Sequence, residues 1–309
     1  MKNAPFFAKL AEGPEGGAAY WTRTEDGTNV RIGIWPGGTA GTVFIFPGRS
    51  EYIEKYGRLA RDLTAAGWAV LAVDWRGQGL SDRLLEDTNI GHVRRFRDYQ
   101  QDAQAAFALA EAQGLPRPWH MIGHSMGGCI GLRTLHRPNP FETAVFSAPL
   151  WGIQFAPALR AAARVVPRLA SLFGLGHRYT PTTDGGCYLI KSPFVDNSLT
   201  TDRDQWDYMV RQVKEQPGLR LGGPSLRWLA EAQRETRRLR AGPHSGLPVV
   251  IGMAALEKIV DNTVIEDMAA DWPSAALTSF AGAEHELLME RPEVRDRFLG
   301  LAMDLFRGG

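Results

Sequence analysis

The sequence predicts an α/β protein: a mostly parallel sheet with helices on both faces, interrupted by one helical insertion. Three observations carry this. Short apolar runs alternate along the chain with amphipathic stretches of helical length. The runs are apolar throughout rather than at every second residue, as in strands covered on both faces. The alternation then stops between about 151 and 245, where Pro and Gly punctuate helical patterns and little reads as strand.

In chain order, residues 20–34 read as a β-hairpin about the Asp26-Gly27 turn. TVFIF (42–46) follows, then the amphipathic stretch EKYGRLARDLTAAG (54–67) and the run AVLAVD (69–74). FRDYQQDAQAAFALAEAQG (96–114) is the next helix, and WHMIG (119–123) the next strand, with CIGLRTLH as a helix behind it. TAVFSA (143–148), PVVIG (248–252) and ALTSFAG (276–282) complete the strands, and a C-terminal helix closes the chain. No internal repeat or low-complexity tract is present. The expected division is a body of residues 1–150 and 246–309 and an inserted helical unit of residues 151–245.

With 309 residues, the chain can bury roughly three quarters of its unfolded surface in a large core. A net charge of +1 gives no case for nucleic-acid binding. The charge is unevenly placed, however. Residues 151–245 hold fourteen Lys and Arg against eight Asp and Glu, a net +6, and the remainder is −5. A solvated face is the plain reading of such a charge run. A basic helical segment also suits an anionic lipid surface. The two cysteines, Cys129 and Cys187, form no CxxC and no metal-ligand cluster, which suggests reduced thiols and a cytosolic protein. The N-terminus lacks the apolar stretch of a signal peptide, and no segment has the length of apolar sequence that spans a bilayer. The expected location is cytoplasmic, with peripheral contact at the inner membrane face.

WHMIGHSMGG (119–128) carries the chemistry. An apolar strand ends in Gly123-His124-Ser125-Met126-Gly127, a G-x-S-x-G pattern followed by a helix. The strand-to-helix turn is so tight that residues two away from the serine must lack bulk. Ser125 then stands at the N-terminus of the helix, where backbone N–H groups favour a developing negative charge. A serine hydroxyl needs a base to take its proton, and the base needs an orienting acid, in the chain order Ser, acid, His. Of seven histidines, only His285 lies past the final strand. His124 falls within the turn itself and reads as structural. The loop after PVVIG offers two acids, Glu257 and Asp261, and either could reach an imidazole. The oxyanion of the reaction needs two backbone donors. These are the N–H of Met126, after the nucleophile, and the N–H of Arg49 in the loop FPGRS (46–50).

These residues resemble the serine hydrolases of the α/β-hydrolase fold and, within them, bacterial lysophospholipases and monoacylglycerol lipases. FPGRSEYIEKY (46–56) is similar to the lysophospholipase form of the oxyanion loop, with Pro47-Gly48 where the wider family usually has His-Gly. VDWRGQGLSDR matches a D-x-R-G-x-G-x-S turn at Asp74, Arg76, Gly77, Gly79 and Ser81, and GHVRRFRDYQQD (91–102) resembles the helix that follows. LTTDRDQWDYM and RLGGPSLRWLAEA resemble the lysophospholipase cap, which implies that 151–245 is a lid domain. The resemblance places Glu257 where a catalytic aspartate usually stands and Asp261 on a second acidic position. It implies hydrolysis of the fatty-acyl ester of a lysophospholipid or monoacylglycerol through an acyl-enzyme, with no metal or organic cofactor. Trp151, Phe155, Phe173, Trp206 and Trp228 are the lid aromatics available to an acyl chain, although any one of them could be ordinary core. The Arg49 side chain either pairs with a carboxylate such as Glu51 or binds phosphate in the bidentate manner of guanidinium groups. An epoxide hydrolase or haloalkane dehalogenase would carry aspartate at 125. A carboxylesterase, thioesterase, peptidase or acyltransferase would use the same triad. A non-catalytic binding protein would have no need of it.

Overall fold

A computed structural model describes residues 2–308. Its centre is one nine-stranded sheet in the order β1-β2-β3-β5-β4-β6-β7-β8-β9. The strands are β1 (Lys2–Ala4), β2 (Ala18–Arg23), β3 (Asn29–Trp35), β4 (Gly41–Phe46), β5 (Trp68–Asp74), β6 (Trp119–His124), β7 (Phe141–Ser147), β8 (Val249–Ala254) and β9 (Ala275–Phe280). The first three pair antiparallel, and β3 meets β5 antiparallel. From β5 to β9 every pairing is parallel. The predicted hairpin is β2–β3, turning at Gly27 with φ +86°. The edge strand β1 is too short and too polar to announce itself in sequence.

The apolar runs of the inner strands are buried on both faces because these strands point alternate residues into two separate cores, whereas the edge strand β9 buries only Phe280 fully. In β4, Phe44 and Phe46 enter one core, and Val43 and Ile45 enter the other. Helices α1 (Gly57–Ala65), α2 (Tyr99–Ala112), α3 (Met126–Leu135), α7 (Asn262–Ala270) and α8 (Pro292–Gly308) cover the sheet. Leu59 and Leu63 of α1 and Phe298 of α8 fill one face; Phe107 of α2, Ile130 of α3 and Ile265 of α7 fill the other.

Between β7 and β8 the chain contributes no strand to the sheet. It forms α4 (Arg160–Leu172), α5 (Arg203–Glu215), α6 (Leu226–Arg240) and short helical turns. Two of the three helices are fixed to the body by buried polar contacts. On α5, Tyr208 Oη donates to Ala11 O at 2.7 Å, and Gln212 Nε2 donates to Leu10 O at 2.8 Å. On α6, Glu235 pairs with Arg133 of α3, and Glu231 accepts from Phe96 N. By contrast, α4 buries only Pro167. It exposes Val165, Leu169 and Leu172 on one side, with Arg160, Arg164 and Arg168 along another.

The loop after β4 is held by a buried ion network. Arg31 reaches Glu54 at 2.8 Å and Asp74 at 2.7 Å, all fully buried. Asp74 also accepts from Ile53 N and Leu80 N, both at 2.8 Å. A Cβ at Gly79 would collide with that carboxylate, and Gly79 has φ +55°. The D-x-R-G-x-G-x-S turn is therefore a brace: it fixes the chain that leads out of FPGRS.

Candidate active site

Ser125 sits between β6 and α3 with φ +49° and ψ −115°, a conformation that L-residues rarely adopt and that costs on the order of 1–3 kcal/mol. The surroundings enforce it. A Cβ at Gly127 would collide with Phe46 O, and one at Gly123 would stand 3.0 Å from Gly127 O. The N–H of Ser125 donates to Ser147 O at 3.0 Å, which ties the turn to the end of β7. The N–H groups of Met126 and Arg49 donate to no acceptor among the described residues, so both are available to a bound oxyanion.

His285 follows β9 and is buried, and its Nδ1 lies 2.7 Å from Glu257 Oε2. The other Glu257 oxygen, Oε1, accepts from Lys258 N, Ile259 N and Val260 N at 3.0, 2.7 and 3.2 Å. Burial alone would raise the Glu257 pKa. The hydrogen bond and charge of His285 and the backbone donors outweigh it, and the carboxyl is held below its usual range. A carboxylate so held stays charged and fixes the imidazole with Nε2 free to point away. Asp261 does not reach His285; it precedes α7 and lines a different cleft. Ser125 and His285 line one cavity and are not hydrogen bonded to each other in this arrangement.

The space before Ser125 has two lobes. One, about 400 Å³, is apolar, lined by Leu150, Ile153, Phe155, Val166, Pro167, Trp228 and Leu229 together with Ser125, Met126 and Arg49. The other, about 350 Å³, carries Arg49, Ser50, Ser198 and His285 beside Leu199 and Met209. Of the expected lid aromatics, Phe155 and Trp228 line the apolar lobe. Trp151 does not. It is fully buried against Phe146 and Trp272, with Nε1 donating to Gly128 O, because it lies where the chain leaves β7 and drops into the body core. Trp206 is also elsewhere, packed against Tyr188 and Phe194. Phe173 points outward, 79% exposed.

Arg49 does not pair with Glu51. Its Nη1 donates to Gly222 O at 2.9 Å, and its guanidinium lies 5.7 Å from the Trp228 ring centroid. With no carboxylate beside it, desolvation pulls its pKa down to about 10, opposed only weakly by Tyr99 and Cys187. Glu51 is occupied otherwise. It accepts from Gly48 N and Tyr56 Oη and pairs with Lys55 at 2.5 Å. Lys55 also reaches Glu286 at 2.6 Å, and His124 Nε2 lies 3.2 Å from Glu286 and 3.5 Å from Glu51. Sequence reading found His124 but not this cluster. Burial opposes the charged imidazolium, but Glu286 and Glu51 raise the His124 pKa above its ordinary value. The two carboxylates thus face the Lys55 ammonium and an imidazole whose charged form they favour. Glu51, His124 and Glu286 converge closely enough to hold a metal ion, but the Lys55 ammonium fills that position. The cluster holds Gly48 on one side and touches the His285 ring through His124, 4.8 Å between centroids, on the other.

Comparison with known proteins places the chain in a family. A family model described as serine aminopeptidase, S33, matches residues 37–292. The chain belongs to that family. This S33-family chain is 34% identical over 283 residues to lysophospholipase L2 of Escherichia coli K12, covering 85% of the chain and 79% of that relative. It is 32% identical over 254 residues to a probable lysophospholipase L2 of Haemophilus influenzae, covering 82% and 79%. Its fold is that of a soluble variant of Saccharomyces cerevisiae monoglyceride lipase solved with a substrate analog, at TM-score 0.71 and 21% identity over 93% and 94% of the two chains. The S33-family protein is an α/β-hydrolase that hydrolyses carboxylic esters, similar to lysophospholipases and monoacylglycerol lipases. No helix among the described residues is long and apolar enough to cross a membrane.

Proposed function

We propose that the protein is a lysophospholipase that works through an acyl-enzyme on Ser125. His285 takes the Ser125 proton as Oγ attacks the fatty-acyl carbonyl, and Glu257 keeps the imidazole in the required tautomer and stabilises its charge. The N–H groups of Met126 and Arg49 receive the oxyanion; each such donor is worth about 2.7–4 kcal/mol in the transition state. His285 returns its proton to the glycerol oxygen as it leaves. Water, activated by the same imidazole, then releases the fatty acid. The observation that carries this reading is the Glu257–His285 pair at 2.7 Å opening, with Ser125, onto two adjoining lobes, one almost wholly apolar and one that mixes apolar side chains with Arg49, Ser50 and Ser198. The acyl chain occupies the apolar lobe against Phe155 and Trp228, and the glycerol and head group occupy the other.

Arg49 favours a phospholipid over a neutral monoacylglycerol. A desolvated guanidinium in both lobes, without a carboxylate partner, is suited to a phosphate. The segment 151–245 acts as a lid, with α4 its least anchored part. The exposed Leu172 and Phe173 beside a basic stripe give it a surface for peripheral contact with an anionic bilayer. The test compares hydrolysis of lysophosphatidylcholine and a monoacylglycerol of the same acyl chain, with Ser125→Ala as blank. Preference for the phospholipid, lost in Arg49→Ala, is the expected result. An equal loss on both substrates would reduce the Arg49 side chain to a structural role. No cleavage above the blank would remove the lipid assignment.

A further inference from the structure

Away from the Ser125 cavity, α4 and α6 face each other across an open cleft of about 600 Å³. Its walls carry Arg160, Arg164 and Arg168 from α4 and Arg237 and Arg240 from α6. The spacing explains the alignment. Positions 160, 164 and 168 recur every four residues, and 237 and 240 are three apart, so each set lies along one helix face. Five guanidinium groups meet two carboxylates on the lining, Glu257 and Asp261, which leaves a net charge of +3. Both Glu257 oxygens are already engaged by His285 and backbone N–H groups.

Helix pairs ordinarily place acids opposite such a row. Here none of Arg164, Arg168, Arg237 or Arg240 has a carboxylate within ion-pair distance among the described residues, although Arg234 nearby is paired with Glu231. Arg168 Nη2 is buried without any hydrogen-bond partner. Arg237 registers the crowding: burial lowers its pKa, and Arg168, Arg234, Arg240 and Arg164 lower it further. The first turn of α7, residues 262–264, completes the wall, and the Asp261 side chain does not cap it. A cleft with these properties is short of an anion.

We propose that the cleft between α4 and α6 is a second binding site, separate from the Ser125 cavity, for a phosphate-bearing ligand of at least two negative charges. The net wall charge sets the ligand charge, and guanidinium geometry favours phosphate oxygens taken in pairs. The volume admits more than an inorganic ion. Ile153 and Phe155 line both this cleft and the apolar lobe in front of Ser125. An anion there would add to the link between α4, which buries only Pro167 of its own, and the anchored α6, where Gln233 Nε2 already donates to Ala163 O at 2.8 Å. The phosphate has two sources: the head group of an anionic phospholipid, such as phosphatidic acid, or a soluble di- or polyphosphate.

The test uses the full chain, an Arg168→Gln/Arg237→Gln variant, and an Arg203→Gln/Arg238→Gln control that removes two charges outside the cleft. Pyrophosphate at fixed ionic strength is expected to raise the Tm of wild type and control by about 3 °C and to bind the cleft variant at least ten-fold more weakly by calorimetry. In the second arm, binding to phosphatidylcholine vesicles with and without phosphatidic acid is compared by sedimentation. A cleft-specific loss with pyrophosphate assigns a soluble phosphate, and a cleft-specific loss only with phosphatidic acid assigns the lipid head group. If neither probe separates the cleft variant from the control, the site does not exist. Relief of like-charge repulsion predicts an anion-free Tm for the cleft variant at or above wild type, and Arg237→Gln alone, at an exposed position, serves if the double variant does not fold.

Discussion

At the scale of single residues, the two acids after β8 have different tasks. Glu257 holds His285, and Asp261 lines the arginine cleft. Glu257→Gln is therefore expected to lower kcat by about 10⁴-fold, as loss of an orienting acid does. Asp261→Asn should stay within about three-fold of wild type, in the range of a residue outside the reacting unit. Initial rates on one lysophospholipid decide between them. His124 makes a prediction in pH. Its folded-state pKa is raised above the ordinary value of 6.5 by Glu286 and Glu51. The stability it contributes is thus fully present below pH 6.5 and is lost as pH rises through the folded-state value. His124→Asn leaves two buried carboxylates with only Lys55, a change of about 3–5 kcal/mol when the imidazole is charged. The Tm difference between wild type and His124→Asn should be largest near pH 6 and shrink toward pH 9. A difference constant across that range would mean that folding does not raise the His124 pKa.

At the scale of elements, the turn from β6 into α3 is fixed by contact between backbones. Gly127→Ala places a methyl group against Phe46 O, in a loop already braced by Asp74 and Arg31. We expect a loss of at least about 1–3 kcal/mol, the range of core overpacking, read as a lower urea midpoint, together with lost activity as Ser125 shifts. This turn was legible in sequence because its cause is local: strand, two glycines and helix lie within ten residues. The inner parallel strands were legible for the same reason, since each announces its double-sided burial as an apolar run. Long-range consequences were not legible. Glu51, Lys55, His124 and Glu286 are neighbours only because β4, β6 and β9 end at the same edge of the sheet, and no spacing in the sequence encodes that. Trp151 and Trp206 show a second limit. An aromatic residue in a helical segment looks the same whether it lines a cavity or a core, and only the path of the chain out of β7 places Trp151 beneath the sheet edge. The acid was undecided between Glu257 and Asp261 on residues alone, because a four-residue offset in a loop does not say which side chain turns toward His285.

At the scale of the whole molecule, a rigid body presents Ser125 at the sheet edge, and an unevenly anchored insertion covers it. The buried contacts of Tyr208 and Gln212 hold α5, and Glu235 and Glu231 hold α6. Helix α4 and the Phe173 that follows it carry the two most exposed large apolar side chains, Leu172 and Phe173. If that surface meets the bilayer, Leu172→Glu/Phe173→Glu should reduce binding to anionic vesicles by at least ten-fold, from the apolar area withdrawn. Hydrolysis of a short soluble ester should change little. Equal vesicle binding by variant and wild type would place the membrane contact elsewhere. The central claim is that Ser125 carries the acyl group of a lipid ester. Its most direct test is peptide mapping by mass spectrometry after a long-chain alkyl fluorophosphonate is allowed to react with the wild-type protein. A single adduct on Ser125, abolished in Ser125→Ala and formed far more slowly in His285→Ala, is the predicted result. Undiminished lysophospholipid hydrolysis by Ser125→Ala, with no adduct on Ser125 in the wild type, would contradict it.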